Sequence, residues 1–196
     1  MSTAPRGRRP GRPDTKTAIL VAARERFAAA GFGGTTIRAI ATAAGVDAAL
    51  VHHYFGSKDD LFVAALELPI DPRVVIGAAV AGPADEAAAK LLRTFVTVWD
   101  DPAFQPALLA LVRRVLEPGG DTLIRDGFLP VVLLPIGEQL GIDDPDLRMP
   151  LVASQVIGLI VARYVVRVEP LASLSVDELV AIYAPTIQRY LTGSLA

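Results

Sequence analysis

The chain has 196 residues, 19 Lys and Arg against 21 Asp and Glu, 52% hydrophobic residues and no cysteine. That length suits one domain, or one with a small appendage, and can bury a core without covalent staples. Lack of cysteine excludes disulfides, thiolate metal sites and cysteine nucleophiles.

Charge is unevenly spread. Residues 1–66 carry 9 basic and 5 acidic side chains, a balance of +4, whereas residues 67–196 carry 10 and 16, a balance of −6. A basic head on an acidic body points to a polyanion contact at one end. Aromatic content is 6%, so the hydrophobic excess is aliphatic and suits closely packed helices. The apolar run Ala18 to Ala23 is broken by Arg24, Glu25 and Arg26, which argues against an export signal. The run Leu151 to Ala162 contains Gln155 and falls short of the about 20 residues that span a bilayer. The expectation is a cytoplasmic protein with no membrane partner.

Residues 1–13 place Arg6, Arg8, Arg9 and Arg12 among glycine and proline, a composition that cannot bury apolar area and reads as a flexible basic arm. Asp14 caps a first helix, with Ile19, Leu20, Ala23 and Phe27 at helical spacing until Gly31; Gly33 and Gly34 form a joint. Thr35 or Thr36 caps a second helix whose face is Ile37, Ile40, Ala41 and Ala44, and Gly45 ends it. Asp47 caps a third short helix through Tyr54, and Ser57 with Asp60 makes a capping box for a fourth. From Pro69 the pattern predicts helices at about 71–80, 84–99, 103–116, 121–140, 146–167 and 176–192. Pro130 and Pro135 should kink or split the fourth of these, and Pro185 should kink the last, which starts at a Ser175–Glu178 capping box. Alternating strand patterns and internal repeats are lacking. The fold class is all-α.

Enzyme motifs fail in turn. No serine sits in a Gly-x-Ser-x-Gly elbow, and Gly56-Ser57-Lys58 has the letters of a phosphate loop in the wrong order. His52 and His53 are adjacent, so a helix points them about 100° apart, which suits no shared metal. Asp143, Asp144 and Asp146 lack the following glycine and glutamate of a calcium loop and read as a solvated capping loop. The chain reads as a non-enzyme without cofactor or metal.

The informative segment is 35–60. Ile40-Ala41-x-x-Ala44-Gly45-Val46 followed by Val51 has the spacing of a helix-turn-helix: Ala41 is small where the second helix crosses, Gly45 makes the turn, and Val46 and Val51 lock the pair. Such a unit offers its second helix to a DNA major groove. A plain helical hairpin with a glycine turn has the same core pattern.

Over residues 14–67 the likeness narrows. Thr35-Thr36-Ile37-Arg38-x-Ile40-Ala41-x-x-Ala44-Gly45-Val46, then His52-His53-Tyr54-Phe55-Gly56-Ser57-Lys58-Asp59-Asp60-Leu61, resembles the DNA-binding domain of the TetR family of bacterial transcriptional regulators. The first-helix end Phe27-Ala28-Ala29-Ala30-Gly31-Phe32 matches as well. The resemblance implies a basic arm at 1–13, a helix-turn-helix domain at 14–67, and a helical regulatory and dimerisation domain at 68–196. It puts Thr36 and Arg38 beside the phosphate backbone, and Asp47, Ala48, Ala49, Leu50, His52 and His53 on the exposed side of the recognition helix. Lys58 falls at a helix N-terminus suited to phosphate. Val51 and Phe55 match buried positions.

The sequence departs from the family pattern where a basic residue is common at Ala48 and tyrosines are common at His52 and His53. The recognition helix therefore has no lysine or arginine, and its small residues suit thymine methyl contacts. Affinity must come from elsewhere, and the arm is the obvious supplier. Its Arg-Gly-Arg and Gly-Arg-Pro pieces resemble an AT-hook and suit a narrow minor groove; a tail adding only nonspecific attraction is the alternative.

In the body, Phe95, Trp99, Phe104, Leu108, Val112, Phe128 and Tyr164 are core residues or pocket lining; a small apolar or amphipathic ligand is implied by the resemblance. Arg163 is either a pocket polar group or an interface ion pair. Val152, Val156, Ile157, Gly158 and Val161 give helix 146–167 apolar surface on more than one side, which predicts a homodimer through this helix and 176–192. Two-fold symmetry would set recognition helices about 34–36 Å apart on a roughly palindromic site. The expected function is a homodimeric, ligand-responsive DNA-binding regulator, a repressor of its double-stranded DNA operator. A helical small-molecule carrier or enzyme, and an architectural protein that bends DNA, are the rival readings.

Overall fold

The computed structural model describes residues 14–118 and 120–195. The predicted arm, with Arg6, Arg8, Arg9 and Arg12, lies outside the described residues. Every regular element among them is helical.

Four helices make the N-terminal part: α1 (Thr15–Gly34), α2 (Ile37–Ala44), α3 (Ala48–Phe55) and α4 (Lys58–Ala65). Helix α1 does not stop at Gly31, as the sequence predicts. Gly31 breaks it at φ 67° and ψ 174°, and a final turn follows to Gly34. Thr36 caps α2, its Oγ1 accepting from Ala39 N at 3.1 Å. Thr35 is buried instead, and its hydroxyl lies 2.7 Å from the Gly31 carbonyl and 3.0 Å from that of Arg26. The α2 to α3 turn is a Schellman close: Gly45 is left-handed, its N–H donates to Thr42 O, and Val46 N–H reaches back to Ala41 O at 3.0 Å. Asp47 then caps α3 by accepting from Ala49 N at 2.7 Å.

Ile19, Ala23, Ile40, Val51, Leu61 and Phe62 bury against one another between these helices. Phe27, Phe32 and Phe62 meet with ring centroids 5.4 to 5.8 Å apart, two of the three pairs edge to face. Such aromatic pairs add about 0.5–1.5 kcal/mol each beyond area burial.

The remaining helices are α5 (Pro72–Ala79), α6 (Ala87–Asp100), α7 (Gln105–Leu116), the short α8 (Asp121–Leu123), α9 (Leu134–Gln139), α10 (Pro145–Ile160) and α11 (Val176–Thr192). The predicted helix at 121–140 is split as its prolines require. Between α8 and α9, Ile124–Leu133 winds in wide i→i+5 turns that accommodate Pro130. A second wide-turned stretch, Val161–Val165, extends α10. Pro145–Val165 has the length and apolarity of a membrane span, but Met149, Val152 and Leu159 on it are core residues and Arg148 and Arg163 are buried. Arg148 closes the end of α11, donating to the carbonyls of Tyr190 and Gly193.

Two polar junctions join the halves. Arg73 at the start of α5 reaches Asp60 of α4 and Asp71, each at 2.8 Å. Glu67, left-handed at φ 58°, pairs with Arg24 of α1 at 2.6 Å and lies 3.7 Å from Arg114 of α7, whose Nη2 donates to Leu66 O.

Candidate nucleic-acid interface and ligand cavity

The face of α2 and α3 is built by its caps. Because Thr36 and Asp47 satisfy the first amides of their helices with side-chain oxygens, both helices start cleanly at the protein surface. Thr36, Arg38, Asp47, Ala49, Leu50, His52 and His53 are exposed and Ala48 is half-buried. Val51, on the opposite side of α3, is buried, and Phe55 packs against the core. The Thr36 hydroxyl proton stays free to donate while its oxygen caps. Asp47 Oδ1 serves the cap, so its carboxylate has a structural job at the head of α3. His52 Nδ1 donates to Gly56 O at 2.8 Å, which leaves Nε2 as the outward atom.

Lys58 differs from expectation. Its ammonium turns inward, donating to Phe32 O at 2.8 Å and Thr35 O at 3.0 Å while lying 4.0 Å from the Phe32 ring centre. One of its three protons remains for any external acceptor. Tyr54 is not singled out by the sequence pattern, yet it is 40% exposed beside Leu50 at 39%. The i, i+4 spacing of the two was the available signal.

The second feature is a cavity of about 230 Å³ between α5, α6, α7, α10 and the wide-turned segment. Phe95, Trp99, Val112 and Phe128 line it, as do Val156 and Ile160. Thr94 and the Trp99 indole are the hydrogen-bonding side chains on its wall. Phe104, Leu108 and Tyr164 do not line it. They pack behind Trp99 in a separate small cluster, with Tyr164 and Trp99 ring centres 5.0 Å apart. Burial pushes the Tyr164 hydroxyl well above the ordinary tyrosine range, with the Asp100 carboxylate adding to it, so the group is a neutral donor to Asp100 Oδ1 at 3.0 Å.

The residues named for a dimer face separate. Val152 is 2% exposed and a core residue, so it cannot meet a second chain; Val156 and Val161 line the cavity. Ile157, though counted in the cavity wall, is 41% exposed, and Gly158 is exposed. Helical periodicity marks all five as apolar without saying which of two apolar surroundings each one meets. Arg163 is buried and pairs with Asp100 at 3.2 Å within the chain.

Two family models match the chain. Bacterial regulatory proteins, tetR family, matches residues 19–65, and the tetracyclin repressor-like C-terminal domain matches residues 85–191. A TetR-family regulator from Streptomyces coelicolor A3 is 38% identical over 94% of this chain and 98% of its own, with a TM-score of 0.47. A putative tetR family transcription regulator from Shewanella sp. PV-4 is 24% identical over 90% and 96%, with a TM-score of 0.43. NalD of Pseudomonas aeruginosa, the secondary repressor of the MexAB-OprM multidrug efflux pump, is 21% identical over 90% and 94%, with a TM-score of 0.45. No curated protein matches. The N-terminal match falls on the capped helix pair and the C-terminal match on the helices around the cavity, the second alone spanning more than half the chain. With both halves so matched, the chain belongs to the TetR family of bacterial transcriptional regulators.

Proposed function

We propose that this regulator is a cytoplasmic homodimeric repressor whose operator affinity changes when a small apolar or amphipathic molecule fills the cavity. Residues 14–67 bind DNA and residues 68–196 sense ligand and dimerise. The observation that carries the reading is the course of segment Ile124–Leu133. Gly127 packs on Phe62 of α4, while its neighbour Phe128 lines the cavity. One backbone stretch thus touches both the ligand compartment and the DNA-binding helices, which gives a ligand leverage over α4.

In this reading, Thr36 and Arg38 hold phosphates, and Ala48, Ala49, Leu50 and the two histidines meet base edges. Asp47 keeps the head of α3 in register at the groove. Lys58 supports the interface chiefly by tying α4 to the end of α1 and contributes its remaining proton to phosphate. The arm arginines, Arg6, Arg8, Arg9 and Arg12, supply charge that α3 lacks and follow the flanking minor groove. The dimer forms over the exposed apolar stripe of α10, its wide-turned extension and α11, where Ile157, Val165 and Ile182 are 41 to 58% exposed.

The test starts by selecting bound duplexes from a random pool and titrating the winner by fluorescence anisotropy. A roughly palindromic site bound with a strongly salt-dependent affinity is the expected result. Val156→Phe, which fills the cavity, should retain operator binding and lose the response to apolar ligands. A helical carrier or enzyme would give no DNA selection at all.

A further inference from the structure

We propose that the effector is an amphiphile with an anionic head, its apolar body in the cavity and its carboxylate in a second, polar pocket behind the Trp99–Tyr164 pair. This rests on the reading of the cavity as the ligand site. The polar pocket measures about 330 Å³ and is lined by Asp100, Gln105, Arg163, Tyr164, Arg167 and Glu169.

The two compartments share their walls. Val98 and Trp99 of α6 line the apolar cavity, and the next residue, Asp100, lines the polar pocket. Ile160 and Val161 line the apolar side, and Arg163, Tyr164 and Arg167 follow on the polar side. The partition is therefore the packed pair of rings, Trp99 against Tyr164 at 5.0 Å, both buried, and one molecule occupies both compartments by turning that pair aside.

The sign of the head follows from which groups are already engaged. Both Asp100 oxygens are taken, one by the Tyr164 hydroxyl and one by Arg163 Nη2. Glu169 Oε2 accepts from the Ser173 hydroxyl at 2.6 Å, which leaves its other oxygen at the rim. The unengaged groups are mostly donors. Arg163, nine-tenths buried, spends Nη1 on the carbonyls of Leu171 and Leu174 but has no partner for its Nε–H. Arg167 has no side-chain partner among the described residues, and its backbone is held left-handed at φ 57°. Donors left over beside an apolar compartment select a carboxylate, which the planar guanidinium binds through charge-assisted, bidentate hydrogen bonds. A cation would meet one carboxylate already occupied, the single free oxygen of Glu169, and two guanidinium groups.

Decanoate and decan-1-ol share a chain and differ in the head, so they are the probes, and quenching of Trp99, the sole tryptophan, is the readout on the full-length protein. Decanoate is expected to bind the unaltered protein at least roughly tenfold tighter than decanol, the equivalent of one charged hydrogen bond. Arg167→Ala should erase that preference while leaving decanol affinity unchanged, and Glu169→Gln should tighten decanoate alone. Val156→Phe should weaken both probes. Equal affinity for the two probes, or a preference that survives Arg167→Ala, overturns the anionic-head proposal; Val156→Phe sensitivity would then leave the cavity reading standing. Absence of any Val156→Phe-sensitive binding by either probe sinks both together.

Discussion

A Cβ added to Gly127 would lie 2.4 Å from Cζ of Phe62. The wide-turned segment thus rests on α4 at a distance that glycine alone permits, and the next residue, Phe128, lines the cavity. Gly127→Ala should destabilise the fold by roughly 1–3 kcal/mol, since the ring is buried and hemmed in by Phe27 and Phe32. Adding Phe62→Leu frees that space, so the double variant should lose less than the two single losses combined. Urea midpoints of the four proteins measure this. Strict additivity would mean that the contact carries no coupling.

Arg38→Ala should weaken operator binding evenly across sequences and lower the slope of log affinity against log salt by about one unit. Deleting residues 1–12 should lower it by roughly 3–4 units and abolish any preference for flanking A·T pairs. Anisotropy titrations at several salt concentrations check both. An unchanged slope for Arg38→Ala would remove that residue from the phosphate contacts.

At Gly158 an added Cβ meets nothing within 4 Å, so a protomer can carry a long side chain there without strain. Gly158→Arg should therefore leave thermal unfolding of the protomer nearly unchanged and shift the mass in solution from dimer to monomer, with operator affinity falling in step. Light scattering would reveal a persistent dimer and so exclude this face.

Acid should destabilise the protein through its junctions. The Ser57 hydroxyl and then Arg73 hold the Asp60 carboxyl below the usual aspartate range, and Arg73 does the same for Asp71. Groups with a depressed folded pKa stabilise above the unfolded value and lose that contribution as pH falls through the folded one. Stability should thus be level near neutrality and decline below about pH 4. Asp60→Asn should flatten the decline, as followed by urea unfolding across that range.

Much of the helix pattern was legible because caps and glycine stops are local chemistry: Asp47, Ser57 and Ser175 each cap the helix their spacing predicts. The helix-turn-helix was legible for the same reason, since it takes one glycine at the turn and two valines that lock the helices. Three-dimensional partners were not. Lys58 carries no sign in sequence that two carbonyls 23 and 26 residues earlier will hold it. Val152 and Ile157 are both branched and apolar on one helix, and only packing sends one to the core and leaves the other 41% exposed. The Arg24–Glu67–Arg114 junction was equally hidden, because it joins three elements through long side chains that look solvated in a linear pattern.

The shoulder of α3, half-buried at Ala48 and exposed at Ala49 and Leu50, bears hydrocarbon where a charge could stand. Hydrocarbon in a major groove senses the C5-methyl of thymine, and a cytosine methylated at C5 presents the same group to the groove. For a regulator reading through this shoulder, replacing operator thymine by uracil removes contact, and methylating a cytosine in the same position restores it. The epigenetic state of the operator would then become an input alongside the ligand proposed for the cavity.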